Sequence, residues 1–148
     1  MSKTKVYVAG AYNDRLRVIN VMADVSSHPG LELALDWVSG IDESRKTMEE
    51  HEVDEADRVM FSLRDLRVAQ ASDVFWFLAP DNVGRGCWFE SGSVITAWMM
   101  LGQGDKAKKL SIASGHVKQS IFTGLFDEQD PSDDSAFKKI VEFSRRVT

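Results

Sequence analysis

Short apolar runs alternate along this chain with segments whose apolar residues recur at helical spacing. Residues 6–9 form a β-branched and aromatic run that stops at a glycine, and residues 74–78 are apolar in succession. Such runs are typical of strands buried on both faces of a parallel sheet. Amphipathic patterns predict helices over residues 16–25, 54–72 and 87–101, and a last helix that begins at Ser132 or Asp133.

The remaining segments carry weaker patterns. Residues 31–38 alternate as a strand would, although their composition also suits a helix, and residues 40–53 read as an exposed loop. Residues 109–113 predict a further strand, residues 120–123 a short last one, and the acidic stretch 127–135 a solvated connection. The predicted apolar face of the first helix consists of Leu16, Ile19, Val21, Met22 and Val25. That of the second consists of Ala56, Val59, Met60, Leu63, Leu66 and Ala69 or Gln70.

Alternating strands and helices predict the fold class. Right-handed crossovers between such elements give an α/β fold with one doubly wound, Rossmann-like parallel sheet of about five strands and helices on both faces. We expect a single domain over residues 1–148. Ligands of such sheets bind beyond the carboxyl ends of the strands, which directs attention to the loops at residues 9–14, 79–90 and 113–118.

Composition narrows the classes of function. The net charge of −5 and the scattered basic residues disfavour nucleic acid as a partner. The sequence has no apolar stretch long enough to span a membrane, and its only cysteine, Cys87, permits no internal disulfide, so we expect a cytoplasmic protein. The three histidines lack metal-site spacing, and neither a dinucleotide fingerprint nor a P-loop is present. We therefore expect no metal and no cofactor.

The stretch from 78 to 92, LAPDNVGRGCWFESG, is the most informative one for chemistry. A strand leads into a loop with Gly84 and Gly86, and a helix follows with Glu90 in its opening turns. The glycines let the backbone approach a ligand closely. The positive end of the helix favours an ionised carboxylate. From these residues alone, a catalytic Glu90 and a Glu90 that merely supports its helix terminus are equally good interpretations.

Three segments in this order, KVYVAGAYNDR, RDLRVAQASDVFWFLAP and GRGCWFESGS, resemble the nucleoside 2-deoxyribosyltransferase-like superfamily. That superfamily includes deoxyribosyltransferases and related nucleotide N-glycosidases. The resemblance covers residues 5 to about 113 and rests on the order and spacing of the motifs, with Asp65 eight positions before Asp73 and a Glu-x-Gly sequence at residues 90–92.

The resemblance implies cleavage or transfer at the N-glycosidic bond of a nucleoside or a nucleoside 5′-monophosphate. Glu90 would be the nucleophile that forms a glycosyl-enzyme, and Asp65 would bind the sugar or manage the proton of the departing base. Tyr7 matches an aromatic hydroxyl that orients the nucleophile, although a buried core tyrosine is an equally good interpretation. The resemblance also implies a homo-oligomer.

One departure from the family pattern bears on the substrate. The deoxyribosyltransferases often carry a further acidic residue before the glutamate helix, where this chain has Gly84-Arg85-Gly86; Asp81 is the nearest carboxylate. An arginine there suits an anionic substrate, although an exposed, salt-bridged arginine is the better single interpretation. The candidate substrate-binding residues are Gly10, Ala11, Asp81, Gly84, Arg85, Gly86, Trp88, Ser91 and Ser93.

Other interpretations stay open at this point. A NAD-cleaving domain also uses a glutamate on a similar sheet, and a sensor without activity could bind a nucleotide through Trp88 and Arg85. For each of the four tryptophans, packing is the better interpretation than stacking on a base. Cys87 near a helix start is better explained as a small buried residue than as a nucleophile.

Overall fold

A computed structural model describes residues 2–39, 55–81 and 84–147. Its strands are β1 (Thr4–Ala9), β2 (Leu31–Leu33), β3 (Val74–Ala79), β4 (Leu110–Gly115) and β5 (Glu128–Asp130). They form a five-stranded sheet in the order β2-β1-β3-β4-β5, and every neighbouring pair is parallel. The predicted doubly wound α/β fold is confirmed. The predicted loop at residues 40–53 lies outside the described residues.

Helices cover both faces of this sheet. They are α1 (Arg15–Ser27), α2 (Glu55–Ala71), α3 (Arg85–Met99), the short α4 (Gln103–Lys106) and α5 (Asp133–Val147). On one face α1 lies beside α5, where the rings of His28 and Phe137 meet edge to face. On the other face α2 lies beside α3, where the amide of Gln70 donates to the hydroxyl of Ser93 at 2.8 Å. Among the described residues, no helix is long and apolar enough to cross a membrane.

The central strands divide their side chains between the two faces because successive side chains point in opposite directions. Tyr7 of β1 pairs in register with Phe75 of β3, and their rings stack 5.9 Å apart on the α2/α3 face. Trp76 points to the opposite face, where its indole nitrogen donates to Ser114 and its ring stacks on Phe137. β1 and β3 are buried almost throughout, which explains why the sequence shows them clearly.

The predicted strand at residues 120–123 is wrong. Two 3₁₀ helices, Val117–Gln119 and Ile121–Leu125, occupy this region. The hydroxyl of Ser120 accepts from the amide of Phe122, and the hydroxyl of Thr123 donates to the carbonyls of Val117 and Ser120. These local side-chain bonds to the backbone compete with a strand ladder and favour tight turns.

The fifth strand lies instead inside the acidic stretch that was predicted to be a solvated connection. β5 pairs with β4 through Ile112, Ala113 and Ser114. Asp130 at its end is buried and accepts from the amide of Ser132 and the hydroxyl of Ser135. A three-residue edge strand of polar composition carries no hydrophobic signal, which is why the sequence pattern missed it.

The predicted apolar faces of the helices are partly corrected. In α1, Leu16 is 74% exposed and Ile19 is 41% exposed, while Val18, Val21, Met22 and Val25 form the buried side. In α2, Ala69 is buried as predicted, but Val59, Met60 and Leu63 are exposed. The last helix begins as predicted, with the hydroxyl of Ser132 accepting from the amide of Ser135. Residues 31–33 adopt the strand alternative.

Candidate active site

The three predicted loops meet at the carboxyl edge of the sheet, at the crevice between β1 and β3. The chain leaves these two strands toward opposite edges of the sheet, so this crevice is the topological switch point. A Cβ built on Gly84 would lie 3.1 Å from the Cβ of Ala11, which places the β1 and β3 loops in contact. Asp81 and His116 lie 3.5 Å apart and join the β3 and β4 loops. The three loops therefore lie together at one edge of the sheet, as the parallel topology predicts.

Tyr7 and Glu90 form the centre of the candidate site. The phenol of Tyr7 donates a hydrogen bond of 2.9 Å to Oε1 of Glu90, across 83 residues of sequence. Tyr7 is fully buried on β1, and Glu90 is partly buried in the second turn of α3. The bond therefore joins the sheet to the helix that packs on it. Tyr7 is thus both a core residue, as one interpretation has it, and a donor to Glu90, as the other requires.

Burial dominates the ionisation of both groups. It raises the pKa of Glu90 to about 7; the bond from Tyr7 acts in the opposite direction, and the negative charge of Asp65 adds to the rise. Burial, together with the charges of Glu90 and Asp65, also raises the pKa of Tyr7 well above its ordinary range. Tyr7 therefore remains a protonated donor at every physiological pH, whereas Glu90 changes charge near neutrality.

Asp65 belongs to the same cluster. It lies on α2 and pairs with the neighbouring Arg64 at 2.8 Å, with about a fifth of its side chain exposed. Its charge acts on the pKa of both Tyr7 and Glu90, so α2 brings a second carboxylate close to this pair. Arg64 was not predicted; its positive charge lowers the pKa of Tyr7 and compensates part of the charge of Asp65.

Two of the three candidate glycines are needed for close packing. A Cβ on Gly10 would lie 2.6 Å from Val18, and a Cβ on Gly84 would lie 2.6 Å from the sulfur of Cys87. Real Cβ atoms do not approach other atoms so closely, so both loops depend on the absence of a side chain. A Cβ on Gly86 would meet no atom within 4 Å, so this position is open toward solvent.

Two candidate residues, Arg85 and Asp81, lie at the solvent-exposed rim of the crevice. Arg85 is exposed and is the first residue of α3. The residue before it, Gly84, makes no side-chain hydrogen bond to cap the helix. Asp81 is also exposed, and it faces His116 across the edge of the sheet. Both side chains are therefore accessible from solution at the mouth of the crevice.

Three of the predicted substrate-binding side chains are engaged elsewhere. The hydroxyl of Ser91 is buried and donates to the carbonyl of Cys87, and the hydroxyl of Ser93 accepts from Gln70. Trp88 packs edge to face on Phe77, with 4.7 Å between ring centroids. Ser93 and Trp88 therefore join α3 to α2 and to β3, whereas the bond of Ser91 lies within α3.

The other sulfur and indole groups are also structural. Cys87 is buried, its thiol donates to the carbonyl of Gly84, and burial raises the pKa of that thiol to about 12. A thiol in this state is a poor nucleophile. Trp37 is buried and donates to the carbonyl of Val8 at 2.7 Å. Trp76 and Trp98 lie in the core as expected.

Sequence reasoning missed one residue at this edge, Arg17. Its guanidinium makes a bidentate ion pair with Asp133 at 2.6 and 2.7 Å and also donates to the carbonyls of Ala79 and Ser114. Nothing in the helical pattern of α1 distinguishes this arginine from an exposed one. Apart from Asp14, its partners lie between 62 and 116 residues away in sequence, so only the folded chain brings them together.

Within residues 2–39, 55–81 and 84–147, no three histidine, cysteine or acidic side chains group closely enough to hold a metal ion. No protein-family model matches the chain, and no curated protein matches it in sequence. The geometry of Tyr7, Glu90 and Asp65 is therefore the main indication of function.

Proposed function

We propose that the protein cleaves or transfers at the N-glycosidic bond of a nucleoside or a nucleoside 5′-monophosphate, with Glu90 as the nucleophile. The observation that carries the proposal is the 2.9 Å hydrogen bond from the buried Tyr7 to Glu90 at the switch point of the sheet. A carboxylate held there by a protonated phenol, with a second carboxylate on the adjacent helix, is the arrangement that the family resemblance implies. We also place the reaction in the cytoplasm.

The first half of the reaction forms a glycosyl-enzyme. An oxygen of ionised Glu90 attacks the anomeric carbon, the bond from that carbon to the base nitrogen breaks, and the base leaves with the bonding electron pair. Protonation of the departing base in the transition state contributes about 10²–10⁴-fold to such reactions. We assign Asp65 to this proton or to the sugar hydroxyls.

The second half releases the sugar. Water attacks the anomeric carbon of the ester and passes a proton to the Asp65 carboxylate or to solvent. The bond from that carbon to Glu90 breaks and Glu90 departs as the carboxylate; this is hydrolysis. If a free base attacks instead, the result is transfer between bases. In both halves Tyr7 acts as a positioning residue, because its hydrogen bond fixes one oxygen of Glu90 while the other faces the sugar.

The rim supports an anionic group on the substrate. Arg85 is exposed at the start of α3, where helix amide groups also favour negative charge. A 5′-phosphate at this position would place the ribose between the rim and Glu90. We therefore include nucleoside 5′-monophosphates in the proposed substrate class.

We also propose that the protein is a homo-oligomer. On the α2/α3 side, eight large apolar side chains are between 41% and 89% exposed: Val59, Met60, Phe61, Leu63, Phe89, Ile121, Phe122 and Leu125. We call this set the apolar face. Side chains of this size each offer on the order of 100 Å², so the set approaches the roughly 800 Å² per partner of a stable interface. A second copy of the chain is the partner we propose.

The deciding experiment is incubation with a panel of nucleosides and 5′-monophosphates, with and without a second free base, followed by chromatography. Release of base without exchange identifies a hydrolase, and exchange identifies a transferase. NAD is included in the panel, and preferential cleavage of NAD would replace the proposal with a NAD glycohydrolase. Binding of nucleotides with no turnover of any panel member would replace it with a sensor.

A further inference from the structure

Arg17 is the most fully bonded cation in the described part of the chain, yet the proposed reaction does not use it. Its five donor hydrogens serve five bonds: Nε and Nη2 to the two carboxylate oxygens of Asp133, Nη1 to Asp14 and to the carbonyl of Ala79, and Nη2 to the carbonyl of Ser114. A guanidinium has five donors in all. Arg17 therefore binds no substrate anion without giving up an existing bond.

The partners of Arg17 lie at the ends of three neighbouring elements. Ala79 ends β3, Ser114 lies at the end of β4, and Asp14 closes the loop after β1. The amide of Asp14 donates in turn to the carbonyl of Ala11 at 2.9 Å. One side chain thus fixes the β1, β3 and β4 loops relative to one another at the carboxyl edge.

These loops determine where α3 begins. Gly84 directly precedes α3, and a Cβ built on it would lie 3.1 Å from Ala11 and 3.2 Å from Pro80. The start of the helix is therefore packed between the β1 loop and the end of β3, both of which Arg17 holds. Glu90 follows in the second turn of α3, while Tyr7 lies on β1.

The geometry points to a role for Arg17 as a positioning residue of Glu90. We propose that its bonds to the β1 and β3 loops hold the start of α3 so that the carboxylate of Glu90 stays within hydrogen-bond distance of Tyr7. This inference rests on the proposed function. Lysine cannot substitute, because an ammonium has three donors and no planar fork for the two oxygens of Asp133.

A second feature at this edge agrees with the role. Gly115 adopts a φ of +89°, and a Cβ at this position would collide with Nη2 of Arg17. Gly115, the last residue of β4, therefore leaves room for the guanidinium, and its backbone has a conformation that favours glycine.

The test measures how strongly Tyr7 and Glu90 interact, with and without Arg17. Glutamate carboxyl carbons are labelled with carbon-13, the Glu90 signal is identified by its loss in Glu90→Gln, and its titration is followed by NMR with and without Tyr7→Phe. The same titrations are run in Arg17→Lys, in the milder Asp14→Ala, and in the control Arg145→Met, which alters an exposed arginine of α5.

We expect Tyr7→Phe to raise the pKa of Glu90 in the otherwise unchanged protein and in Arg145→Met, because the bond from Tyr7 lowers it. In Arg17→Lys, and to a smaller extent in Asp14→Ala, this effect falls to less than half. In these two variants kcat for base release also falls at least about fivefold, while KM stays within about twofold.

The proposal is overturned if Tyr7→Phe shifts the Glu90 titration equally in all backgrounds, even where Arg17→Lys lowers the melting temperature. Asp14→Ala decides the question if Arg17→Lys does not fold, since it removes one bond to a carboxylate that is 43% exposed. The NMR measurement needs no turnover. Absence of base release would therefore count against the proposed function, while the titrations would still decide the role of Arg17.

Discussion

The two faces of the sheet are held in different ways. On the α1/α5 face, a continuous hydrogen-bonded network joins the helices to the sheet. It consists of Arg17, Asp133, Ser114 and the indole of Trp76. On the α2/α3 face the contacts are mainly aromatic, the exposed apolar face lies there, and Tyr7 and Glu90 meet beneath α3. The α1/α5 face is held by charged and polar side-chain bonds, whereas on the α2/α3 face burial opposes the ionisation of Glu90.

The difference between the two faces is visible in the pKa of one carboxyl group on each. Asp133 is buried to a degree that opposes its ionisation, but the bonds from Arg17 and Ser114 outweigh that effect and hold its pKa below the ordinary range. Glu90 receives one neutral donor, which does not outweigh burial, and its pKa rises. A stabilising network therefore lies on one side of the sheet, and a carboxylate whose ionised form is disfavoured lies on the other.

Breaking the polar network should give the largest loss of stability. Asp133→Ala leaves Arg17 partly buried without its main partner. We expect the free energy of unfolding to fall by about 2–3 kcal/mol, less than for a fully buried ion pair because both side chains are partly exposed. Urea unfolding at pH 7 measures it. Asp134→Ala is the matched control, since it removes the neighbouring exposed carboxylate from the same first helical turn and should cost under about 0.5 kcal/mol. Equal losses in the two variants would contradict the role of the network.

Removal of the Tyr7 hydroxyl tests the proposed role of the Tyr7–Glu90 bond on the α2/α3 face. We expect Tyr7→Phe to lower kcat/KM for base release about 10–100-fold, the range that corresponds to a hydrogen bond to a charged group. The bond lowers the pKa of Glu90, so the rise of activity with pH, expected near pH 7 in the unchanged protein, should move to higher pH. Rate measurements between pH 5 and 9 check this. An unchanged profile would show that the bond has no part in catalysis.

The raised pKa of Glu90 also predicts a stability effect that needs no substrate. Between the ordinary carboxyl pKa near 4.5 and about 7, the folded chain keeps a proton that the unfolded chain releases, so stability falls as pH rises through this window. Glu90→Gln removes the effect. We compare the free energy of unfolding of this variant with that of the unchanged protein at two pH values. Between pH 4.5 and pH 8, we expect the difference to change by about 2–3 kcal/mol in favour of the variant. A difference that does not depend on pH would contradict the raised pKa.

The smallest expected effect on the fold concerns the apolar face. Phe122→Asp replaces a side chain that is 63% exposed and should change the free energy of unfolding by less than about 0.5 kcal/mol. We expect it nonetheless to shift the protein from dimer or higher oligomer to monomer, as measured by light scattering after size exclusion. Leu16→Asp, at a position 74% exposed on the opposite face, is the control that should leave assembly unchanged. A monomer before any substitution would refute the homo-oligomer.

The sequence predicted what depends on local pattern. β1 and β3 were evident because buried parallel strands are continuously apolar. The glycine loop before the next helix made Glu90 a candidate, and the family resemblance gave it a role. β5 was missed because Glu128–Asp130 is polar and is held by pairing with β4. Arg17 was missed because the ends of β3 and β4 are brought to it only by folding. The bond from the Ser91 hydroxyl to the carbonyl of Cys87 was likewise not evident from the sequence.

The central claim is that Glu90 becomes covalently bonded to the sugar. The most direct measurement is intact-mass analysis of the protein, quenched in acid during turnover of the best substrate in the panel, followed by peptide mapping. We predict a mass increase equal to the sugar, or the sugar phosphate, on the peptide that contains Glu90, and no such increase in Glu90→Gln. An adduct that persists in Glu90→Gln, or turnover that this variant leaves undiminished, would contradict the account.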